Sequence, residues 1–551
     1  MFHRGWRELA LDRLGDGFDL VIVGAGISGS GIALDAAQRG LDVLLLERGD
    51  IASGTSSRSS KLIHGGLRYL KQMQFRITRL ACRERDRMLS LSPHLVRPIR
   101  FLYPAYHGDL TPGWQIGLGL WMYDQLTARP EKHTQVGVEE IQDLAPGLPT
   151  DDLDRALAYT DAFADDARLT LAVAATAHSF GAAVLTRAEV VGPVRGGSGR
   201  IEGVEAHDLE TGRVHTVRSH AVVNATGVWT DICRERLGLP GHHLKPSRGI
   251  HLVLPADQLR LRTAVTLPAP DDGRPVFLIP HPEGVLVGTT DHYHDGSLDD
   301  PRPTEAEVAY LLRAVRAAFP GADVGRDRVV GAFAGVRPIL DTHAENPSEA
   351  SREEEIWEEE GVLSVAGGKL TTWRSTAEAA VDAALQLLPG ERARALAPCA
   401  TRGTPLAGLA PADLDRRLTA VHGLDSAVAE GMARRLGGLA WTAVEAARDR
   451  SELRPVADDL DLSPAEVRAH LRWGAALHLD DLLLRRVRLG MWTPDRCREL
   501  LPALAPLVRA ELDWDAARWD REAGALENAL RGWSVEGIVP GSDDTVPCPE
   551  C

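Results

Sequence analysis

The stretch from Phe18 to Glu47 constrains this chain more than any other. Phe18 to Val23 reads as a short buried strand, Gly24-Ala25-Gly26-Ile27-Ser28-Gly29 as a tight turn, and Ser30 to Arg39 as a helix stopped by Gly40. A second strand follows over Asp42 to Leu46, and Glu47 stands 23 residues after the first glycine. A βαβ unit with G-x-G-x-x-G at its first turn and an acid at this distance suits a dinucleotide. The glycines let the backbone approach a pyrophosphate at a helix N-terminus, and the carboxylate accepts hydrogen bonds from ribose hydroxyls.

The 551 residues allow two to four domains, and a chain 44% hydrophobic and 25% charged has ample apolar surface for a core. Val217 to Val223 is a further strand leading into Asn224-Ala225-Thr226-Gly227, and Val362 to Ala366 leads into Gly367-Gly368-Lys369-Leu370-Thr371-Thr372 and a helix to about Leu388. Such turns expose free N–H donors. Between them, strand-like stretches (Val276 to Ile279, Val285 to Val287) alternate with helices near Arg168 to His178 and Thr304 to Phe319, which suggests a second, mixed sheet. The division expected is 1–388 for the interleaved sheet domains, 389–411 for an Ala-, Pro- and Gly-rich linker, 412–535 for a helical domain and 536–551 for a tail. The run Glu353 to Glu360 reads as a solvated hairpin or loop.

No apolar run is long enough to span a membrane, and the charged N-terminus does not resemble a signal peptide, so a cytoplasmic location is expected. The six scattered cysteines suit reduced thiols, and Cys548-x-x-Cys551 reads as part of a frayed terminus. A net charge of -16 argues against nucleic acid as a partner. Only Lys61, Lys71, Lys132, Lys245 and Lys369 supply Lys among 62 basic residues, so a Lys here hints that a compact ammonium is wanted.

The segment Ser56-Ser57-Arg58-Ser59-Ser60-Lys61-Leu62-Ile63-His64-Gly65-Gly66-Leu67-Arg68-Tyr69-Leu70 closely resembles the signature of FAD-dependent glycerol-3-phosphate dehydrogenases. Asp165-Asp166-Ala167-Arg168-Leu169, Asn224 to Gly227, Gly288-Thr289-Thr290-Asp291, Gly335-Val336-Arg337-Pro338 and Gly367 to Thr372 extend the resemblance over Asp19 to Arg374. Leu483-Leu484-Arg485-Arg486-Val487-Arg488-Leu489 carries it more loosely into the helical part. The resemblance implies an α/β fold: a Rossmann-like FAD-binding domain, a mixed-sheet substrate domain of the glycine and D-amino acid oxidase type, and a C-terminal helical domain. It also implies oxidation of sn-glycerol 3-phosphate to dihydroxyacetone phosphate, with electrons passed to a quinone. Oxygen as acceptor and a non-catalytic flavoprotein scaffold are the alternatives, and a homo-oligomer is left open.

By the same resemblance, Arg68, Tyr69, Arg337, Arg352 and Lys369 converge on the substrate. A phosphate dianion calls for a cluster of cationic donors. His251 is the base for the hydroxyl proton and His64 its rival, each weighed against a structural histidine beside the cofactor. FAD is assigned to Gly24, Gly26, Gly29, Glu47, Ser60, Lys61, Leu62, Gly65, Thr226, Gly227, Gly368, Leu370 and Thr371, with no metal. Lys369 and its neighbouring N–H groups would face the edge of the flavin that gains negative charge on reduction. Nine basic residues against two acids between Arg68 and Arg100, with Trp114 to Tyr123 close by, predict peripheral contact with an anionic membrane face. The competing reading is the solvated face of an ordinary helix beside a core or dimer interface.

Overall fold

The computed structural model describes residues 1–67, 70, 73–129, 131–342 and 354–540. The βαβ opening is present, with strands Phe18–Val23 and Val43–Glu47 around helix Ile27–Gln38. The helix starts three residues before Ser30 because Gly26 is its extended N-cap, so the last glycine of the motif falls in the first turn. Phe18–Val23 pairs in parallel with Val43–Glu47 on one side and Arg213–Asn224 on the other. Among the described residues this sheet has eight strands, its main path running Glu355–Glu359, Val362–Ala366, Arg213–Asn224, Phe18–Val23, Val43–Glu47, Ala183–Thr186.

One of its strands differs from the sequence reading in its bounds, and another forms one arm of the expected hairpin. Arg213–Asn224 begins four residues before Val217, because its polar first half pairs antiparallel with Ile201–Asp208 outside the buried core. The glutamate run forms edge strand Glu355–Glu359, which folds back onto Val362–Ala366 through Gly361 at φ +94°. A left-handed residue at this corner suits glycine.

A second sheet of ten described strands runs from His292–Tyr293 through Ser247–Leu254, Gly284–Gly288, Pro275–His281, Ala264–Pro268, Val96–Tyr106 and Leu153–Ala164 to Leu62–Ile63. Gly331–Arg337 pairs with Ser247–Leu254 from Ser247↔Arg337 to Val253↔Gly331. That register brings Arg337 and His251 into one neighbourhood.

Helices Leu414–His422, Ser426–Leu436, Pro464–Trp473, Pro494–Leu512 and Ala516–Leu530 dominate the C-terminal part. Leu482, Leu483, Leu484, Trp492 and Trp533 share one apolar core with Phe101, Val253 and Phe333 of the second sheet. The stretch 389–411 lies against the first sheet domain, with Arg392 paired to Asp19 at 2.6 Å, Gln38 Nε2 donating to Thr404 Oγ1, and Leu406 buried.

Candidate active site

One cavity of about 910 Å³ runs between the sheets. At its first end the glycine turn brings backbone to the surface. Gly24 has φ +102°, and a Cβ there would stand 2.7 Å from the Ala225 carbonyl oxygen. A Cβ on Gly29 would stand 1.8 Å from the Gly24 carbonyl oxygen, so Gly29 lies behind the wall and lets the helix close on the turn. Gly26 lines the cavity and caps its helix with no side chain of its own, while Ile27 N donates to Ser56 Oγ at 2.9 Å, so the backbone of the helix start faces the cavity beside that hydroxyl. Glu47 ends its strand beside this turn, where Oε2 accepts from Ala25 N and Oε1 from Gly49 N, each at 2.7 Å. Burial raises its pKa against those two bonds. Thr226 and Gly227 continue the wall, with open space where a Gly227 Cβ would stand.

At the far end two distant segments meet. His64 N donates to Thr371 Oγ1 at 3.2 Å, and Thr371 Oγ1 donates back to the His64 carbonyl at 3.3 Å. Ser60, Leu62, His64, Gly368, Lys369, Leu370 and Thr371 all line the cavity. Gly367 and Gly368 lie at φ +75° and +79°, a backbone path that side-chain-bearing residues resist.

Ser60 Oγ lies 2.8 Å from His251 Nε2. The His251 ring stacks on Phe333 and is 2% exposed, and its Nδ1 has no hydrogen-bond partner among the described residues. Burial, then the nearby Arg337 and Lys61 charges, push its pKa well below 6.5, so the imidazole is neutral at physiological pH. Arg337 also lines the cavity, paired with Asp291 at 3.1 Å and donating to Thr289 Oγ1 at 3.2 Å. Asp291 in turn accepts from Ser247 Oγ at 2.5 Å.

Lys61 and Gly65 stand behind the wall. The Lys61 ammonium is fully buried on Asp166 Oδ1 at 2.6 Å because φ +59° turns the side chain inward while Ser60 faces the cavity. Gly65 packs where a Cβ would meet Cys82 Sγ at 2.4 Å, and its N–H donates to Tyr123 Oη at 2.8 Å. Tyr123 donates to Asp161, which lines the cavity and pairs with Arg85 at 2.5 Å. Arg68, Tyr69 and Arg352 lie outside the described residues. Asp161, Asp166 and Asp291 were not singled out from the sequence. Asp166 and Asp291 sit inside the family-like motifs, which was the available signal, whereas Asp161 has none.

The FAD dependent oxidoreductase family matches residues 19–350, and the C-terminal domain of alpha-glycerophosphate oxidase matches 399–519. Glycerol-3-phosphate dehydrogenase 2 of Mycobacterium tuberculosis is 38% identical over 538 residues, covering 94% of this chain and 88% of the relative. The aerobic glycerol-3-phosphate dehydrogenase of Bacillus subtilis is 37% identical, covering 71% of each chain. The solved glycerol-3-phosphate dehydrogenase of Bacillus halodurans, complexed with FAD, superposes with a TM-score of 0.80 at 28% identity, covering 98% of this chain and 100% of that one. Glycine oxidase of Geobacillus kaustophilus shares the fold of the sheet domains, with a TM-score of 0.52 at 20% identity, covering 68% of this chain and 96% of that one. The glycine cradle, the bare Gly26 helix start in the cavity wall and the left-handed Gly367-Gly368 turn fit FAD as cofactor, and the chain belongs to the family of FAD-dependent glycerol-3-phosphate dehydrogenases.

Proposed function

We propose that the chain oxidises sn-glycerol 3-phosphate to dihydroxyacetone phosphate and passes the electrons to a quinone. The observation that carries the first half is the convergence of the Ser60–His251 pair, Arg337 and the Gly367 to Thr371 turn on the cavity that begins at the glycine cradle. Bound FAD supplies the two-electron acceptor. Gly24, Gly26, Glu47, Thr226 and Gly227 hold its nucleotide end, and Ser60, Leu62, Gly368, Leu370 and Thr371 its ring end. Arg337 and Lys369, both in the cavity wall, bind the phosphate. Each charge-assisted hydrogen bond contributes about 1.5–3 kcal/mol.

Oxidation breaks the carbinol C–H bond with its electron pair going to the flavin, while the hydroxyl proton goes to a base. With Ser60 Oγ donating to the neutral Nε2, the substrate hydroxyl gives its proton to Ser60 Oγ as the Ser60 proton passes to His251 Nε2. His64, which also lines the cavity, is the rival base. Anaerobic addition of glycerol 3-phosphate to the yellow holoenzyme is expected to bleach the flavin absorbance. A spectrum left unchanged at millimolar substrate would overturn this reading.

Support for a membrane-bound acceptor comes from helix Gly113–Leu126. Trp114, Leu118 and Trp121, spaced to share one face, are 57%, 48% and 55% exposed. Ile116, Gly119, Leu120 and Met122 of the same helix line the cavity. An acceptor with an apolar body can therefore approach the flavin from the side that meets a lipid interface. The contact is narrower than the sequence suggested, because Leu120 and Tyr123 are buried. Arg76, Arg79 and Arg83 are exposed on helix Phe75–Leu91, whereas Arg85 is internal and Arg87 pairs with Glu84. No helix among the described residues is long and apolar enough to cross a membrane. The match of 399–519 to an oxidase domain favours oxygen as the second reading, and stoichiometric peroxide under air would select it.

A further inference from the structure

The segment Asp480 to Leu489 presents charge where a helical domain would ordinarily present apolar side chains. Asp481 to Arg486 forms a π-helical turn, and every side chain from Asp481 to Leu489 is buried, including Arg485, Arg486 and Arg488. Burying a guanidinium costs several kcal/mol unless its partners are complete. Here they are. Asp50 accepts from Arg485 Nε at 2.5 Å and from both terminal nitrogens of Arg486 at 2.7 Å. Arg488 reaches Asp165 Oδ2 and Asp166 Oδ1, each at 3.0 Å, and the Ser57 carbonyl at 3.0 Å. Arg187 joins Asp480 and Asp481 to the Arg485 side, while Lys61 joins the Arg488 side. Three carboxylates meet three cations on the Arg485 side, and two meet two on the Arg488 side.

Two of these carboxylates, Asp50 and Asp166, tie the cluster to loops that line the cavity. Asp50 follows Glu47 by three residues and opens the loop through Ser53 and Gly54, both in the cavity wall. Asp166 accepts from Ser59 N at 2.9 Å and Ser59 Oγ at 2.7 Å as well as from Lys61. Ser57 to Lys61 is thus fixed through its carbonyl, amide, hydroxyl and ammonium groups to one buried cluster, with Ser60 between them aimed at His251. Lys61 and Arg488, both left-handed at φ +59° and +68°, meet on the same Asp166 oxygen. Burial would raise the pKa of Asp165, yet Arg488 and then Lys61 hold it at about 2.

We infer that the helical domain is a cofactor clamp: Arg488, supported by Arg486, is a positioning residue that fixes the Ser57 to Lys61 segment and the Asp50 loop around FAD, so that the helical domain sets how fast FAD leaves. The inference needs FAD in this cavity but is independent of the substrate and the acceptor. The buried ion pairs of Arg468 with Glu511 and Glu452 provide the internal contrast, since they lie wholly within the helical part.

The test is the release rate of FAD from diluted holoenzyme, read as the rise in flavin fluorescence, for wild type, Arg488→Met, Arg488→Lys and Arg468→Met, together with the flavin absorption spectrum. Arg488→Met is expected to release FAD at least tenfold faster and to shift the visible flavin bands. Arg488→Lys should recover part of the loss, because it restores the charge but not the fork. Arg468→Met should lower the melting temperature while leaving release within twofold of wild type. Equal release from Arg488→Met and Arg468→Met overturns the clamp. Should Arg488→Met not fold, Arg486→Lys keeps the charge on the helical side but loses the fork on the two Asp50 oxygens. Its release is expected to be about threefold faster, and wild-type release from Arg486→Lys overturns the clamp equally.

Discussion

The cavity is walled in two ways. At Gly24 and Gly29 the glycine turn is held by close backbone contacts that exclude even a methyl group. Around Arg337 the wall, and behind it the contacts of Arg488 and His478, are held by side-chain charges drawn from segments far apart in sequence. A backbone wall tolerates no added atom, whereas a paired-charge wall tolerates shape change but not loss of one partner. The two should fail differently.

The largest effect is expected at the backbone wall. Gly29→Val places branched carbons where a single Cβ would already stand 1.8 Å from the Gly24 oxygen, so the purified variant should carry little or no FAD. Gly26 sharpens the comparison, since a Cβ there meets only Ser56 Oγ at 3.3 Å. Any loss in Gly26→Ala then reports on the pyrophosphate itself, and a full flavin complement in Gly29→Val would break the assignment of the cradle.

At the paired-charge wall, Arg337→Ala should retain FAD but lose about tenfold or more in kcat/KM for glycerol 3-phosphate. It also removes from Asp291, in the cavity wall, one of its cationic partners, Arg274 at 3.7 Å staying in place. Arg337→Ala with Asp291→Asn should therefore recover part of the loss, and steady-state kinetics on the two variants reads this directly. Wild-type kinetics in Arg337→Ala would remove it from the site.

The smallest effect concerns His478, which bridges Glu522 of the helical part and Glu210 of the first sheet domain at 3.0 and 2.8 Å. Burial acts to lower its pKa, but the two carboxylates outweigh it and hold the imidazolium up to about 9. A folded pKa above the ordinary 6.5 means that this stabilisation is fully present below pH 6.5 and lost as pH rises through 9. Wild type should lose a few degrees of melting temperature across that window relative to His478→Gln. Parallel melting curves would break the link.

The backbone wall was legible in the sequence because its signal is local. Glycines at fixed spacing, an acid at the next strand end and apolar runs of strand length specify it without reference to the rest of the chain. Even there, the extension of Arg213–Asn224 was hidden, because its outer half alternates polar residues on a solvated hairpin. The charged wall was not legible. Ser60 and His251 are 191 residues apart, Arg488 and Asp166 are 322 apart, and no spacing rule joins them. Arg85 shows the cost of reading charge by sequence neighbourhood: it sits among surface arginines in the chain but is buried on Asp161 in the fold. The family-like motifs marked which segments matter, while the tertiary pairing decided that Ser60 faces the cavity and Lys61 faces away.

The central claim is that a buried, neutral His251 takes the substrate proton through Ser60 Oγ in this cavity. Stopped-flow measurement of anaerobic flavin reduction by glycerol 3-phosphate across pH 6 to 9, for wild type and His251→Asn, tests it most directly. With the His251 pKa well below 6.5, the wild-type rate should stay flat over that range, and His251→Asn should retain FAD while reducing it about 100-fold more slowly or worse. A wild-type rate that rises through a midpoint near pH 7, or reduction of His251→Asn at the wild-type rate, would contradict the account.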